Sequence, residues 1–286
     1  MKIIASKEDE NLSLKEILIN RGFSSTLIRK YKHSGRILVN NEISIVNRII
    51  KKGDIIELYL DDDNVSVKPE RMELNICYED DDILVVNKEA GVVVHPTAGH
   101  PENTLANGIA WYYAKKKIKA SIRPVNRLDK DTSGLVIFAK NPFMQNYLQI
   151  VSPMKKLYVA IVQGNLEEKG TIDLPICRKP GSTIERMVSD DGDRAVTDFF
   201  VLKRSEKLSF VKLELKTGRT HQIRVHLSHI GHPIIGDTLY GSDTSYIKRQ
   251  ALHAYRITFR QPFIDKCISI YAPVPEDMKM VLKDAF

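Results

Sequence analysis

The sequence predicts an α+β fold in two parts. A small αβ unit covers residues 1–62, a connector covers 63–73, and a larger domain over 74–286 carries a mixed, largely antiparallel sheet flanked by helices and loops. Three observations predict it. From Leu74 onward, strand-like apolar runs outnumber helical stretches and do not alternate strictly with them, which argues against a doubly wound parallel sheet. Between the two parts the chain turns polar, with Asp61-Asp62-Asp63-Asn64 and Lys68-Pro69-Glu70 and few large apolar side chains. Finally, 286 residues with 43% hydrophobic and 28% charged content can bury a real core and are too apolar for a mainly disordered chain.

The elements follow in order. Leu12-Ser13-Leu14-Lys15-Glu16-Ile17-Leu18 spaces its apolar residues as a helix does, with Ser13 as its cap. A second helix follows Ser24-Ser25, with Leu27, Ile28 and Tyr31 on one side and Arg29, Lys30 and Lys32 interleaved. Gly35 stops it, Arg36 to Asn41 reads as a strand into a turn, and Ile55 to Leu60 is a strand after Gly53-Asp54. In the larger part, Ile83 to Val86, Gly134 to Ala139, Leu157 to Gln163 and Phe210 to Leu215 read as strands, and Thr104 to Lys117 and Pro142 to Val151 as helices. If Gln222 to Leu227 is extended like Phe210 to Leu215, its alternate positions point to opposite faces.

Composition narrows the function classes. Forty-three Lys and Arg against 36 Asp and Glu give a net charge of +7, which suits a polyanionic partner without establishing one. The three cysteines, Cys77, Cys177 and Cys267, are far apart and form no Cys-x-x-Cys pair, so a secreted disulfide scaffold and thioredoxin-like chemistry are disfavoured. The opening residues lack a signal-peptide pattern and the apolar runs are too short to cross a bilayer, so a cytoplasmic protein without a membrane partner is expected. There is no phosphate-cradling or dinucleotide fingerprint, and no nucleotide cofactor is expected. His221, His226, His229 and His232 are crowded, but on an extended segment neighbouring positions point to opposite faces, so no metal is expected either. Lys115-Lys116-Lys117-Ile118-Lys119 beside Trp111-Tyr112-Tyr113 reads equally as an RNA contact or a solvated helix end.

The densest polar stretch is Val125-Asn126-Arg127-Leu128-Asp129-Lys130-Asp131-Thr132-Ser133-Gly134, directly before the run Leu135-Val136-Ile137-Phe138. A loop entering a buried strand can hold a carboxylate rigidly at a cleft, and the cations flanking Asp129 keep it ionised. Taken by itself the stretch reads far more readily as a salt-bridged turn than as a site, and Asp131 competes with Asp129.

This string resembles the active-site motif of pseudouridine synthases, in particular the branch that modifies large-subunit ribosomal RNA and some transfer RNAs. The resemblance extends, in order, through Tyr78 to Lys88, Ala90-Gly91, Val94-His95-Pro96, Lys156-Leu157-Tyr158-Val159-Ala160, Thr217 to Leu227, Gly231-His232-Pro233, Gly236-Asp237, Leu239-Tyr240-Gly241, Leu252-His253-Ala254 and Ala272 to Met278. Residues 12 to 60 separately resemble the S-four-type RNA-binding domain, through the serine-started basic helix, the glycine turn, Val39-Asn40-Asn41 and Lys51-Lys52-Gly53-Asp54.

The resemblance implies an isomerase that turns specific uridines of RNA into pseudouridine without metal or organic cofactor. It implies that Asp129 is the essential carboxylate, attacking the anomeric carbon or removing a ribose proton. Arg224 is to orient Asp129 through two parallel donors. Tyr158 is to stack on the target base and assist removal of the carbon-five proton. Arg127 is expected to fill the space of a flipped nucleotide or bind phosphate, and Arg29, Lys30, Lys32 and Arg36 to bind RNA. The expected partner is RNA, ribosomal favoured over transfer RNA, acted on by a monomer. Two departures stand out: Asn126 occupies a position where the family usually has His, and Glu89 one where it often has Pro. Asn keeps both hydrogen-bonding functions but no acid–base role. It therefore leaves open an alternative, a catalytically inactive RNA-binding or ribosome assembly protein of the same fold.

Overall fold

Ser13 starts α1 (Leu14–Asn20) with a reciprocal capping box: its hydroxyl accepts from the Glu16 N–H, and the Glu16 carboxylate accepts from the Ser13 N–H at 2.8 Å. Ser24 caps α2 (Ser25–His33), which buries Leu27, Ile28 and Tyr31 and leaves Arg29, Lys30 and Lys32 at the surface. The helices pack on a four-stranded antiparallel sheet of β1 (Lys2–Ile4), β2 (Ile37–Val39), β3 (Glu42–Ile43) and β4 (Ile55–Leu58), in the order β1-β4-β2-β3. The computed structural model describes residues 1–60, 67–241, 244–263 and 266–286, so the Asp61-Asp62-Asp63-Asn64 half of the expected connector lies outside the described residues.

The larger part runs β5 (Ile76–Glu79), β6 (Ile83–Lys88), α3 (Leu105–Lys116), β7 (Arg123–Pro124), β8 (Ser133–Ala139), α4 (Pro142–Asn146), β9 (Lys155–Gln163) and β10 (Lys169–Asp173). It continues through β11 (Ile176–Arg178), β12 (Arg186–Val188), β13 (Val196–Arg204), β14 (Leu208–Leu215), α5 (Gln222–His229), β15 (Leu252–Gln261), β16 (Lys266–Tyr271) and α6 (Glu276–Ala285). Among the described residues, ten strands form one sheet in the order β10-β13-β14-β9-β15-β8-β6-β5, with β16 beside β15 and β7 beside β8. The sheet is largely antiparallel, as expected, with a parallel joint where His253 and Ala254 of β15 meet Ser133 and Gly134 of β8.

At its centre, in β6, β8 and most of β9, that sheet is buried on both faces, which explains why these strands read as unbroken apolar runs. Successive side chains point to opposite faces. Leu84 and Val86 of β6 and Val136 and Phe138 of β8 join a cluster with Ile109 and Tyr113 of α3. Ile83, Val85, Leu135 and Ile137 join another, with Phe143 and Met144 of α4 and Leu18, Phe23 and Ile28 of the N-terminal unit. The Phe23 and Phe143 rings lie 4.2 Å apart, and the Asn146 amide donates to the Gly22 carbonyl at 3.2 Å. Past the connector's acidic half, Lys68 and Glu70 are tied to α3: the Asn107 amide donates to the Lys68 carbonyl and the Asn103 N–H to the Glu70 carboxylate.

Two segments differ from their expected form. Residues 142–151 are helical, but only as far as Asn146 in α-form; Tyr147–Val151 is a π-helical turn. Gln222 to Leu227, expected as extended, is the body of α5. Its apolar alternation at Ile223, Val225 and Leu227 imitates a strand because the intervening Gln222, Arg224 and His226 are themselves buried, each in hydrogen bonds rather than in water.

Candidate active site

The loop from Val125 to Thr132 is fixed from several sides. Asn126, at the departing position, donates to the Leu135 carbonyl at 3.1 Å and accepts from the Ile137 N–H at 2.9 Å, so its amide does for β8 what a paired backbone would. The buried Lys88 ammonium donates to the carbonyls of Glu89, Val92 and Lys130, each at 2.8 Å, and so clamps the residue after Asp129. Burial pulls the Lys88 pKa down to about 7, against the pull of the Asp131 and Asp129 charges. Thr132 N–H donates back to the Asp129 carbonyl at 3.1 Å, and the Gln250 amide to the Thr132 hydroxyl at 3.1 Å. Gly134 follows with φ +115°, and a Cβ there would overlap the Ala254 backbone, so the parallel joint admits only glycine. Ser133 donates to His253 Nδ1 at 2.9 Å in the same joint.

Arg224 reaches Asp129 from α5, with Nη1 donating to Oδ2 at 2.9 Å. The expected two-donor fork is directed elsewhere. Arg224 Nε and Nη2 donate in parallel to Oδ2 and Oδ1 of the buried Asp237, at 2.7 and 2.9 Å. Only the remaining Nη1 faces the loop, because the other edge of the guanidinium is turned toward Asp237. The Tyr240 ring lies under the guanidinium at 5.1 Å. Burial would lower the Arg224 pKa, but Asp237 and then Asp129 outweigh it and raise it, so this group is a permanent cation.

These groups open into a cavity of about 750 Å³ whose lining includes Arg127, Asp129, Lys156, Tyr158, His221 and Arg224. The volume falls within the usual range for a small-molecule site. Sheet register explains the meeting: Tyr158 pairs with Ala254, and Ala254 with Gly134, so Tyr158 shares a row with the end of the Asp129 loop. Tyr158 is buried, and burial with the Asp129 charge pushes its phenol pKa up, leaving a neutral hydroxyl. Burial lowers the Lys156 pKa. Arg127 is exposed at the cavity mouth. Asp131 uses its carbonyl to accept from Arg249, and does not line this cavity.

Of the residues singled out in the sequence, Asp129, Tyr158, Arg224 and Arg127 thus come together, whereas Arg29, Lys30, Lys32 and Arg36 lie apart on α2 and the turn after it. The sequence reading missed Lys88 as a clamp, His221 beside Asp129, and Asp237 with Tyr240 as the support of Arg224. The Gly236-Asp237 and Leu239-Tyr240-Gly241 strings were the available signal. Three of the four crowded histidines have their own partners: His226 bonds Thr197 and the Leu174 carbonyl, His232 the Gln163 carbonyl, and His221 Tyr240. Among the aromatics next to the basic run, Tyr113 is buried, the Tyr112 hydroxyl donates to Glu79 and Lys115 lies over Trp111.

Comparison with known proteins identifies the family. A family model described as RNA pseudouridylate synthase matches residues 82–229, which include Asp129, Tyr158 and Arg224. The chain is 39% identical over 279 residues to the RNA pseudouridine synthase YjbO of Bacillus subtilis, covering 95% of this chain and 99% of that protein. It is 35% identical over 282 residues to a ribosomal large subunit pseudouridine synthase D of Buchnera aphidicola, covering 91% and 89%. Among solved structures, human RNA pseudouridylate synthase domain containing 1 superposes with a TM-score of 0.58 at 26% identity, covering 70% of this chain and 83% of that one. The chain therefore belongs to the RNA pseudouridine synthases, isomerases that convert uridine to pseudouridine within RNA.

Proposed function

We propose that this protein isomerises specific uridines of large-subunit ribosomal RNA, with Asp129 as the reacting carboxylate, Arg224 as the cation that holds it and Tyr158 as the wall against the target base. One observation carries the reading: a carboxylate at the edge of the cavity has one oxygen bonded to a buried arginine that is itself anchored by a second carboxylate. In the reaction the N1–C1′ bond breaks, the uracil turns, C5 bonds to C1′, the C5 proton leaves and N1 takes up a proton. All heavy atoms of the product come from the uridine and nothing is oxidised or reduced, so the proposal calls on no cofactor. Asp129 serves either by attacking the anomeric carbon or by removing a ribose proton. Tyr158, its hydroxyl kept neutral by burial and the Asp129 charge, offers its ring to a flipped base and assists removal of the C5 proton.

Arg127, at the cavity mouth, is suited to the vacated position or to phosphate. The N-terminal residues 1–62 are proposed as an S-four-type RNA-binding domain, followed by a connector over 63–73 and the catalytic domain over 74–286. The exposed cations of α2, with Arg36 beyond it, supply phosphate contacts. The name of the Buchnera relative supports a ribosomal target. With that target the protein acts in the cytoplasm, as a monomer and without a membrane partner; no helix among the described residues is long and apolar enough to cross a membrane. The test is tritium release from RNA carrying [5-³H]uridine. Asp129→Asn should abolish release and leave RNA binding and melting temperature nearly unchanged, and chelators should have no effect; substantial turnover by Asp129→Asn refutes the assignment. Pseudouridine mapping in ribosomal and transfer RNA of a deletion strain decides the target.

A further inference from the structure

His221 is the residue that launches α5, and its backbone has φ +57°, a left-handed conformation unfavourable for a side chain with a Cβ. Its ring lies between two groups of the cavity. Nδ1 is 2.9 Å from the Tyr240 hydroxyl, and Nε2 is 3.8 Å from Asp129 Oδ2, the same oxygen that receives Arg224 Nη1. The Tyr240 ring meets the imidazole edge-on at 84°.

The tautomer follows from the hydrogen bonds. The Tyr240 oxygen already accepts the Arg186 N–H at 3.0 Å, so its own proton is directed to His221 Nδ1. With Nδ1 acting as acceptor, the ring proton sits on Nε2, facing the carboxylate. The opposite tautomer would set a nitrogen lone pair against the Asp129 oxygen. The charged and titratable groups facing this ring are Asp129, Arg224, Arg186, Asp237 and Tyr240; burial lowers the His221 pKa, with Asp129 opposing, and keeps the ring neutral. Burial also raises the Tyr240 pKa, which keeps its hydroxyl proton in place.

We infer that His221 is a positioning residue for Asp129: its Nε2–H and Arg224 both address Oδ2, leaving Oδ1 to meet the substrate, and Tyr240 sets the tautomer that makes this possible. The inference rests on the reading of Asp129 as the reacting carboxylate. At 3.8 Å the Nε2 contact is longer than a hydrogen bond, so the ring acts on Oδ2 through the direction of its N–H dipole.

The experiment is single-turnover tritium release by the full-length protein, in excess over total [5-³H]uridine-labelled RNA from a strain lacking the enzyme. His221→Ala should slow the saturated rate roughly tenfold to a hundredfold with RNA affinity unchanged, the range expected for one lost charge-assisted donor. His221→Gln, whose amide N–H can reach the Nε2 position, should recover most of the rate. Tyr240→Phe keeps the ring under Arg224 but not the hydroxyl; it should slow the wild-type protein and add nothing to His221→Ala. The inference is overturned by a wild-type rate in His221→Ala, by His221→Gln being no better than His221→Ala, or by Tyr240→Phe costing the same factor in both backgrounds. Asp129→Asn run in parallel separates the failures: if it turns over, the reading of the site itself falls, whereas an inactive Asp129→Asn beside a fully active His221→Ala removes only the role of His221.

Discussion

Asp237→Asn tests whether the arginine that holds Asp129 is itself held. Asp237 is 1% exposed and Arg224 7%, so water cannot replace the lost charge. The substitution keeps the shape, and the side-chain oxygen can still accept from the Leu239 and Tyr240 N–H groups. It replaces one acceptor of the 2.7 and 2.9 Å fork with an amide that confronts the guanidinium donor to donor. Breaking a buried pair by removing one partner costs about 3–5 kcal/mol. At roughly 2 °C per kcal/mol for a domain of about 200 residues, that is a fall of ~6–10 °C in melting temperature. Released from its fork, Arg224 no longer fixes Asp129, and a displacement of about 1 Å in a reacting group costs on the order of a hundredfold in rate. Thermal unfolding and single-turnover tritium release read the two effects, with RNA affinity unchanged as the control. A melting temperature within about 2 °C of wild type and a rate within about twofold would refute the anchoring argument. Lowered stability with full activity would confine Asp237 to the fold.

Three further outcomes are expected. Gly134→Ala should cost about 4 kcal/mol or more, because φ +115° and the Ala254 backbone both oppose a Cβ; soluble protein with an unchanged unfolding midpoint would contradict the joint. His253 bonds the Ala272 carbonyl and so carries its proton on Nε2, and burial pulls its pKa down to about 4 from 6.5. Between those values the unfolded chain binds the extra proton, so this group's contribution is complete above pH 6.5 and lost as pH falls toward 4, up to about 3 kcal/mol; His253→Gln should melt with a shallower pH dependence over that window. Replacing Arg29, Lys30, Lys32 and Arg36 by Gln should lower the slope of log affinity against log salt by about 0.7–0.9 per phosphate contact removed, and an unchanged slope would take α2 out of RNA binding.

What could be read from the sequence, and what could not, divides along physical lines. Ser13, Ser24 and the apolar positions of α1 and α2 act within a turn or two of their own helix, so their pattern is local and legible. The runs of β6 and β8 were legible as strands, but their lack of alternation became intelligible only with both faces covered, by α3 on one side and by α4 with the N-terminal unit on the other. α5 was misread because its polar residues are partners of the interior, and a pattern of polarity reports burial only when polar side chains face water. The likeness of the Arg-Leu-Asp and Gln-Ile-Arg strings brought Asp129 and Arg224 together across 95 residues of sequence, and their 2.9 Å contact exists. Which carboxylate takes the fork depends on how the loop before β15 returns over α5, and no local pattern encodes that. Asn126 looked like a lost function and proves to be a pair of hydrogen bonds to β8.

The parallel joint between β8 and β15 also has a consequence for synthesis on the ribosome. Ser133 and His253 are 120 residues apart. At elongation rates of roughly 5–20 residues per second that separation is ~6–24 s of translation. During that interval β6 can pair with β8 on one edge, and β7 covers the other edge only at Phe138 and Ala139. The Val125 N–H and the Asn126 amide hold Leu135 and Ile137 on that edge, so the backbone at Ser133 and Gly134 waits as its open stretch, a template for unwanted pairing. The Asp129 loop is completed late, when β15 slides against Gly134. A nascent chain stalled before residue 252 would carry every residue of the cavity wall from α5 and β9, yet lack the strand that locks the loop among them.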